Sequence, residues 1–153
     1  MPESPQSQET PFGQYQLIEK IAQGLSDGTF PNEKMEGRYL LSLNRRKLLR
    51  EQDPLTSFDE LIDALRKLNE ESAASGNKVV LVIDEVHELF KNHKTNGVPD
   101  LIKEAMTNGD SAIILATTLD EFKQYIEKDE GFTRRAVPIL LEEASTAETQ
   151  RML

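Results

Sequence analysis

The apolar positions of this chain follow two spacings that alternate along its length. Leu17, Ile18, Ile21, Ala22 and Leu25 recur at three- and four-residue intervals, which predicts a helix from Gln14 that Gly28 and Pro31 close. Tyr39 to Leu43 is a short apolar run that predicts a strand, and Arg45 to Arg50 predicts a brief basic helix. Ser57-Phe58-Asp59-Glu60 has the form of a capping box, so a long helix is expected to open at Ser57. Its core face would carry Phe58, Leu61, Ile62, Leu65 and Leu68, and Gly76-Asn77 would end it. Val79 to Ile83 is apolar without a break, the mark of a strand buried on both faces. Asn96-Gly97 and Pro99 then precede a helix with Leu101, Ile102, Ala105 and Met106. Asn108-Gly109-Asp110 turns into a third strand, Ala112 to Ala116. Thr118-Leu119-Asp120-Glu121 is a second capping box and starts a helix with Phe122, Tyr125 and Ile126. A fourth strand is expected at Val137 to Leu141. Helices alternating with short apolar strands predict an α/β protein, a parallel sheet flanked by helices. Residues 1–10 are polar and proline-rich and read as a disordered tail, leaving 11–153 as one domain.

Charge and composition narrow the function classes. The 153 residues carry 18 basic and 27 acidic side chains, a net charge of −9. That balance excludes a sequence-independent grip on nucleic acid and disfavours anionic membranes. There are no cysteines, hence no disulfides or thiolate metal sites, and His87 and His93 have no zinc-ligand company. No metal site is predicted. No apolar run approaches the roughly 18 residues that span a bilayer. The first ten residues have neither a basic start nor an apolar stretch, so a cytoplasmic location is expected, with non-classical export left open.

The chemistry concentrates where the second strand ends. Asp84 and Glu85 follow Ile83 directly. Such a pair commonly serves a bound triphosphate, but that site needs a loop to hold the phosphates. Without a cation the two carboxylates repel, so at least one should be solvated or paired with a base. Magnesium held by the pair alone would be weak, because that ion normally shares its ligands with phosphate. His87 reads as a partly exposed neighbour. Arg45-Arg46-Lys47, with Arg50, reads as a solvated face. The stripe from Phe58 to Leu68 reads as core rather than a groove.

Three segments, LIEKIAQGLSDGTFPNEKMEGRYLLSLN, VVLVIDEVHELF and AIILATTLDEFKQYIEKDEGFTRRAVPILLEEAS, together resemble the first ATPase module of Clp-type AAA+ unfoldases and disaggregases. The likeness runs from about Pro11 to the C-terminus. It implies a P-loop NTPase-like (AAA+) large subdomain, lacking its first strand and its C-terminal helical lid. By position it makes Asp84 and Glu85 the Walker B pair and sets Thr117 and Thr118 at the sensor-1 position. Arg134 and Arg135 take the place of the arginines that reach a neighbouring subunit's site, although a solvated basic pair remains the plain alternative.

The departures from the family are as telling. The phosphate-loop pattern G-x-x-x-x-G-K-[ST] falls on Gln8 to Tyr15, where only Gly13 matches. Gln14 stands for the lysine and is uncharged. Tyr15 stands for the serine or threonine and sets its hydroxyl too far out for magnesium. Pro11 removes one N–H from a loop built of N–H donors. The family's substrate-gripping loop falls on Gln52 to Thr56, with Pro54 at the aromatic position. The expectation is a non-hydrolysing pseudo-ATPase with a degenerate Walker A and vestigial Walker B residues. It would work as a protein-interaction or regulatory module with a protein partner such as a Clp-type ring, without cofactor. The alternative is a Clp-like chaperone subunit that binds ATP and magnesium through an atypical loop. A sheet short of its first strand would leave unpaired edges, which predicts a homodimer.

Overall fold

The computed structural model describes residues 18–23, 38–72, 78–109 and 111–141. Residues 18–23 are helical (α1). The following elements are β1 (Tyr39–Ser42), α2 (Arg45–Arg50), α3 (Pro54–Glu71), β2 (Val79–Ile83), α4 (His87–Lys91), a 3₁₀ turn (His93–Thr95), α5 (Val98–Asn108), β3 (Ala112–Leu115), α6 (Leu119–Glu121), a π-helical turn (Phe122–Ile126) and α7 (Glu130–Thr133). The proposed tail 1–10, the phosphate-loop window, the Gly28 and Pro31 stop and Gly76-Asn77 lie outside the described residues.

The sheet has strand order β1-β2-β3, all parallel. Tyr39 to Ser42 align with Val79 to Val82, and Val80 to Ile83 with Ala112 to Leu115. Every residue of β2 is buried, as its unbroken apolar run predicts. Phe58, Ile62 and Leu65 of α3, Val98, Ile102 and Ala105 of α5, and Phe132 of α7 pack with Leu81 and Ile83 into one core. Two polar side chains fix where β2 starts. The Val79 N–H donates to Asn69 Oδ1 at 2.7 Å, and the Ser111 hydroxyl donates to the Val79 carbonyl at 2.7 Å. Gly109, at φ +68, closes α5 and begins the turn into β3.

Four expectations are corrected. First, α3 opens at Pro54, not Ser57. The Asp53 carboxylate accepts the Thr56 N–H at 3.2 Å and the Thr56 hydroxyl at 2.6 Å, and Pro54 supplies a helical φ at the first position. This earlier cap prevails over the capping box at Ser57. It also makes Pro54 to Thr56 the first turn of a helix instead of a loop. Second, Leu68 is exposed, because the buried stripe runs Phe58, Ile62, Leu65, Asn69 and leaves Leu68 about 90° to one side. Third, the helix begun by Thr118 keeps its cap, the Glu121 N–H donating to Thr118 Oγ1 at 3.2 Å, but its ladder widens at Phe122. There the Glu127 N–H reaches back five residues to the Phe122 carbonyl, so the helix continues as a π turn.

The fourth correction concerns Val137 to Leu141, which forms no strand. Its side chains stand in solvent: Val137 is 87% exposed, Ile139 79%, Leu140 65% and Leu141 45%. A strand is stable only with a neighbour to complete its ladder. No backbone hydrogen bond ties 137–141 to another described residue, and Pro138 has no N–H to offer. No described helix is long and apolar enough to cross a membrane.

Candidate functional site

The parallel sheet delivers its functional residues to the carboxyl ends of the strands. After Ser42, the Leu43 N–H donates to the Val82 carbonyl at 2.9 Å, which carries the chain past the end of β2. Asn44 then caps α2 by accepting the Lys47 N–H at 3.0 Å. This sets Arg45, the first residue of α2, beside the Asp84-Glu85 pair. Its Nη1 donates to the Asp84 carbonyl at 2.8 Å and its Nη2 meets Glu85 Oε2 at 2.7 Å. The Arg45 side chain is 20% exposed, so this ion pair is partly shielded from water. Asp84 turns inward on its own backbone, Oδ1 accepting the Glu85 N–H at 2.9 Å. Glu85 sits at φ +47, a left-handed conformation uncommon for a residue with a Cβ.

The expected pairing of one carboxylate with a base is therefore present. The base is Arg45, which corrects the reading of its side chain as solvated; Arg46, Lys47 and Arg50 are exposed as anticipated. His87 is also corrected. It is buried, with Nδ1 at 2.9 Å from Thr117 Oγ1 and Nε2 at 3.4 Å from Glu88 Oε1. A polar partner makes burial of the ring tolerable. The Val86 N–H donates to the Ala116 carbonyl and the Ala116 N–H to the Ile83 carbonyl, so the ends of β2 and β3 are joined. Asp84, Glu85, Thr117 and Thr118 thus share one end of the sheet. Gly13, Gln14 and Tyr15 lie outside the described residues.

Asp84 commits an oxygen to a backbone N–H and Glu85 to a guanidinium. Among the described residues no group of three or more His, Asp or Glu side chains converges, so a magnesium ion here would draw on one or two carboxylates and take its other ligands from water or phosphate.

The two arginines of the TRR segment differ in role. Arg134, just past α7, is well exposed and pairs with Glu130 at 3.0 Å, one turn back. Arg135, also exposed, is tied to its own fold: its Nε donates to Thr107 Oγ1 at the end of α5 and its Nη1 to the Gly131 carbonyl at 2.8 Å. A clamp joins the same two helices. Lys103 Nζ lies 3.0 Å from both Asp100 and Asp129. The bond to Asp100 raises the Lys103 pKa, burial opposes this, and Asp129 adds to the rise. At Asp129 burial pushes the pKa up, but Lys103 and the N–H groups of Gly131 and Phe132 more than offset it, and the net shift is downward. A Cβ at Gly131 would come within 2.6 Å of Lys103 Cδ and 2.9 Å of Asp129 Oδ1, so any other residue there would have to displace the side chains of this clamp. Sequence reasoning missed both Arg45 and this clamp, whose partners are distant along the chain.

No protein-family model matches the chain. Over 144 residues, 92% of its length, it is 35% identical to the chaperone protein ClpB of Dichelobacter nodosus. It is 34% identical over the same share to ClpB of Clostridium perfringens. It spans only 16% of each. Among solved structures it matches the S. cerevisiae Hsp104:casein complex in its extended conformation, with a TM-score of 0.74 and 30% identity over 94% of this chain and 24% of that one. It also matches the S. cerevisiae Hsp104–ADP complex, with a TM-score of 0.71 and 31% identity over 94% of this chain and 20% of that one. The chain is homologous to one region of the ClpB/Hsp104 AAA+ proteins. Its three-stranded parallel sheet with flanking helices is the fold of that region.

Proposed function

We propose that this chain is a non-hydrolysing relative of the ClpB/Hsp104 ATPase region and acts by binding protein. The observation that carries the reading is the Arg45–Glu85 ion pair at 2.7 Å. In the resemblance Glu85 is the residue that activates water; here an arginine of the same chain neutralises it and takes up one of its oxygens. Gln14 and Tyr15, standing where the family pattern asks for a lysine and a small hydroxyl, support the same reading from the sequence. The exposed Arg134 provides the group that a ring neighbour would meet, while Arg135 is occupied in holding α7 to α5. A Clp-type ring is the partner the homology favours.

The test has two parts. Titrating a fluorescent ATP analogue with magnesium should give no saturable binding below millimolar nucleotide. Mixing the chain with an intact ClpB-type ATPase should change that enzyme's turnover, and Arg134→Ala should weaken the change. Co-elution without a nucleotide signal supports the proposal, and absence of any association removes the ring-directed version.

A second reading is favoured by one observation: Asp84, Glu85 and Thr117 do gather at the end of the sheet where a nucleotide would be served. A nucleotide-binding subunit with an atypical loop would give micromolar affinity that Asp84→Ala abolishes. That result would overturn the non-hydrolysing reading.

A further inference from the structure

We propose that this chain forms a two-fold dimer by reciprocal strand exchange, the segment Val137 to Leu141 of each copy pairing with the outer edge of β3 in the other. The inference is independent of the reading above and starts from two halves of one incomplete ladder.

The first half is β3. Among the described residues it is the last strand of the sheet, with β2 on one side. Ala112 is exposed and Ile113, Ile114 and Leu115 are half-buried, whereas every residue of β2 is buried. Exposed edges in stable monomers are normally guarded by charge, proline or a bulge, because their free N–H and C=O groups recruit other strands. Within its own run β3 has neither charge nor proline: residues 111–119 read SAIILATTL. The opposite edge carries a charge at its start, since Arg38 directly precedes β1.

The second half is the segment itself. Residues 136–141, AVPILL, are uncharged and end at Glu142. Four large apolar side chains stand in solvent here, more than an isolated surface leucine would represent. Arg135 fixes the point from which the segment leaves, through its bonds to Thr107 and the Gly131 carbonyl. Pro138 restricts the pairing. In an extended segment the N–H and C=O of alternate residues point to the same side, so Val137, Ile139 and Leu141 present one intact edge. Pro138 and Leu140 face the other, where the missing N–H is harmless. The segment is suited to be the outermost strand of a sheet and unsuited to be a central one.

A second copy is the occupant that charge and area favour. Each molecule carries −9, so a self-contact must avoid acidic surface. Both halves of this contact are uncharged and bring no like-charge pair together. Each segment would cover on the order of 300 Å² and mask a similar area on its receptor. Two exchanged segments then bury on the order of 1,200 Å², the lower end of specific stable interfaces. Because each chain holds one donor and one acceptor, reciprocal exchange closes at two copies and leaves no growing end.

Sedimentation velocity on the full 153-residue chain, from micromolar to sub-millimolar concentration, tests this. A monomer–dimer equilibrium is expected. The double substitution Val137→Asp/Ile139→Asp should weaken it at least about 100-fold, since it would bury carboxylates against β3. Both positions are exposed in the single chain, so its circular dichroism should not change. Leu68→Asp, at an exposed leucine on α3, should leave the dimer intact. Amide exchange gives a second measure: residues 113–115 should gain protection as wild-type concentration rises. A chain that stays monomeric throughout, a dimer that survives the double substitution, or concentration-independent exchange in β3 would each overturn the proposal.

Discussion

Two five-residue runs in this protein are close to equal in apolar character and opposite in fate. VVLVI, residues 79–83, is buried along its whole length, while VPILL, residues 137–141, is exposed along its whole length. Apart from Pro138, composition does not separate them. What separates them is the company each keeps. The first has β1 and β3 on its two edges, helices packed against it, and Asn69 and Ser111 satisfying the backbone where it begins. The second meets no ladder among the described residues. An apolar run states that a strand is wanted; whether one forms depends on partners the run itself does not contain.

Stability measurements should separate the two runs most sharply. Leu81→Ala removes a fully buried side chain from the centre of β2 and is expected to cost about 2–5 kcal/mol in urea unfolding. Ile139→Ala, measured at a concentration where the chain is monomeric, is expected to change stability by less than about 0.5 kcal/mol. Equal losses at the two positions would show that Val137 to Leu141 is packed in the folded monomer and would collapse the comparison.

The same contrast explains what could be read in advance. Local signals were reliable where they were complete. The helical spacing of Phe58, Ile62 and Leu65 gave a buried face, and Thr118 with Glu121 gave a working cap. Where two local signals competed, pattern alone chose wrongly. Asp53-Pro54 and Ser57-Phe58-Asp59-Glu60 both announce a helix start, and the pair that fixes φ and satisfies the Thr56 N–H sets the boundary. Long-range pairings gave no local signal at all. Arg45 and Glu85 are far apart along the chain, and only the parallel register of β1 on β2 brings them together. His87 was misread for a related reason, because its hydroxyl partner Thr117 arrives on a different strand end. The Asp84-Glu85 motif was therefore legible as a place, and so was its need for a counter-charge, but the base that supplies it was not.

That electrostatic state supplies a smaller test, which contrasts the carboxyl end of β2 with the uncharged edge of β3. Arg45→Ala should destabilise the fold by about 1 kcal/mol, since Glu85 loses its partly shielded counter-charge and the Asp84 carbonyl its guanidinium donor. Glu85→Gln on its own should cost less than about 1 kcal/mol. In the double variant, loss of Arg45 should do little further harm, because the charge it neutralises is gone. A coupling free energy near zero in this cycle would mean that Arg45 and Glu85 are neighbours without an energetic bond. The site would then be open to a cation after all.

A modest effect belongs to the Asp129–Lys103 clamp, and its sign follows from the two pKa directions. The Asp129 pKa is lowered in the folded protein, so its contribution is present above the unfolded carboxylate pKa of about 4 and is lost as pH falls through the folded value. The Lys103 pKa is raised, so its contribution is full below about 10.4 and is lost as pH rises through the folded value. Asp129→Asn isolates the charge. The amide oxygen can still accept the Gly131 N–H that Asp129 Oδ1 accepts at 2.9 Å, so the start of α7 keeps its cap. The expected loss is about 1 kcal/mol near neutral pH, seen as a fall in Tm of roughly 2–4 °C. The difference from wild type should shrink toward zero as the pH is lowered past the point where Asp129 itself takes a proton. A gap that persisted in acid would mean that the substitution damages the cap and not the ion pair. The exit of the chain toward Val137 would then be fixed by Arg135 and the α7 backbone alone, without help from the lysine clamp.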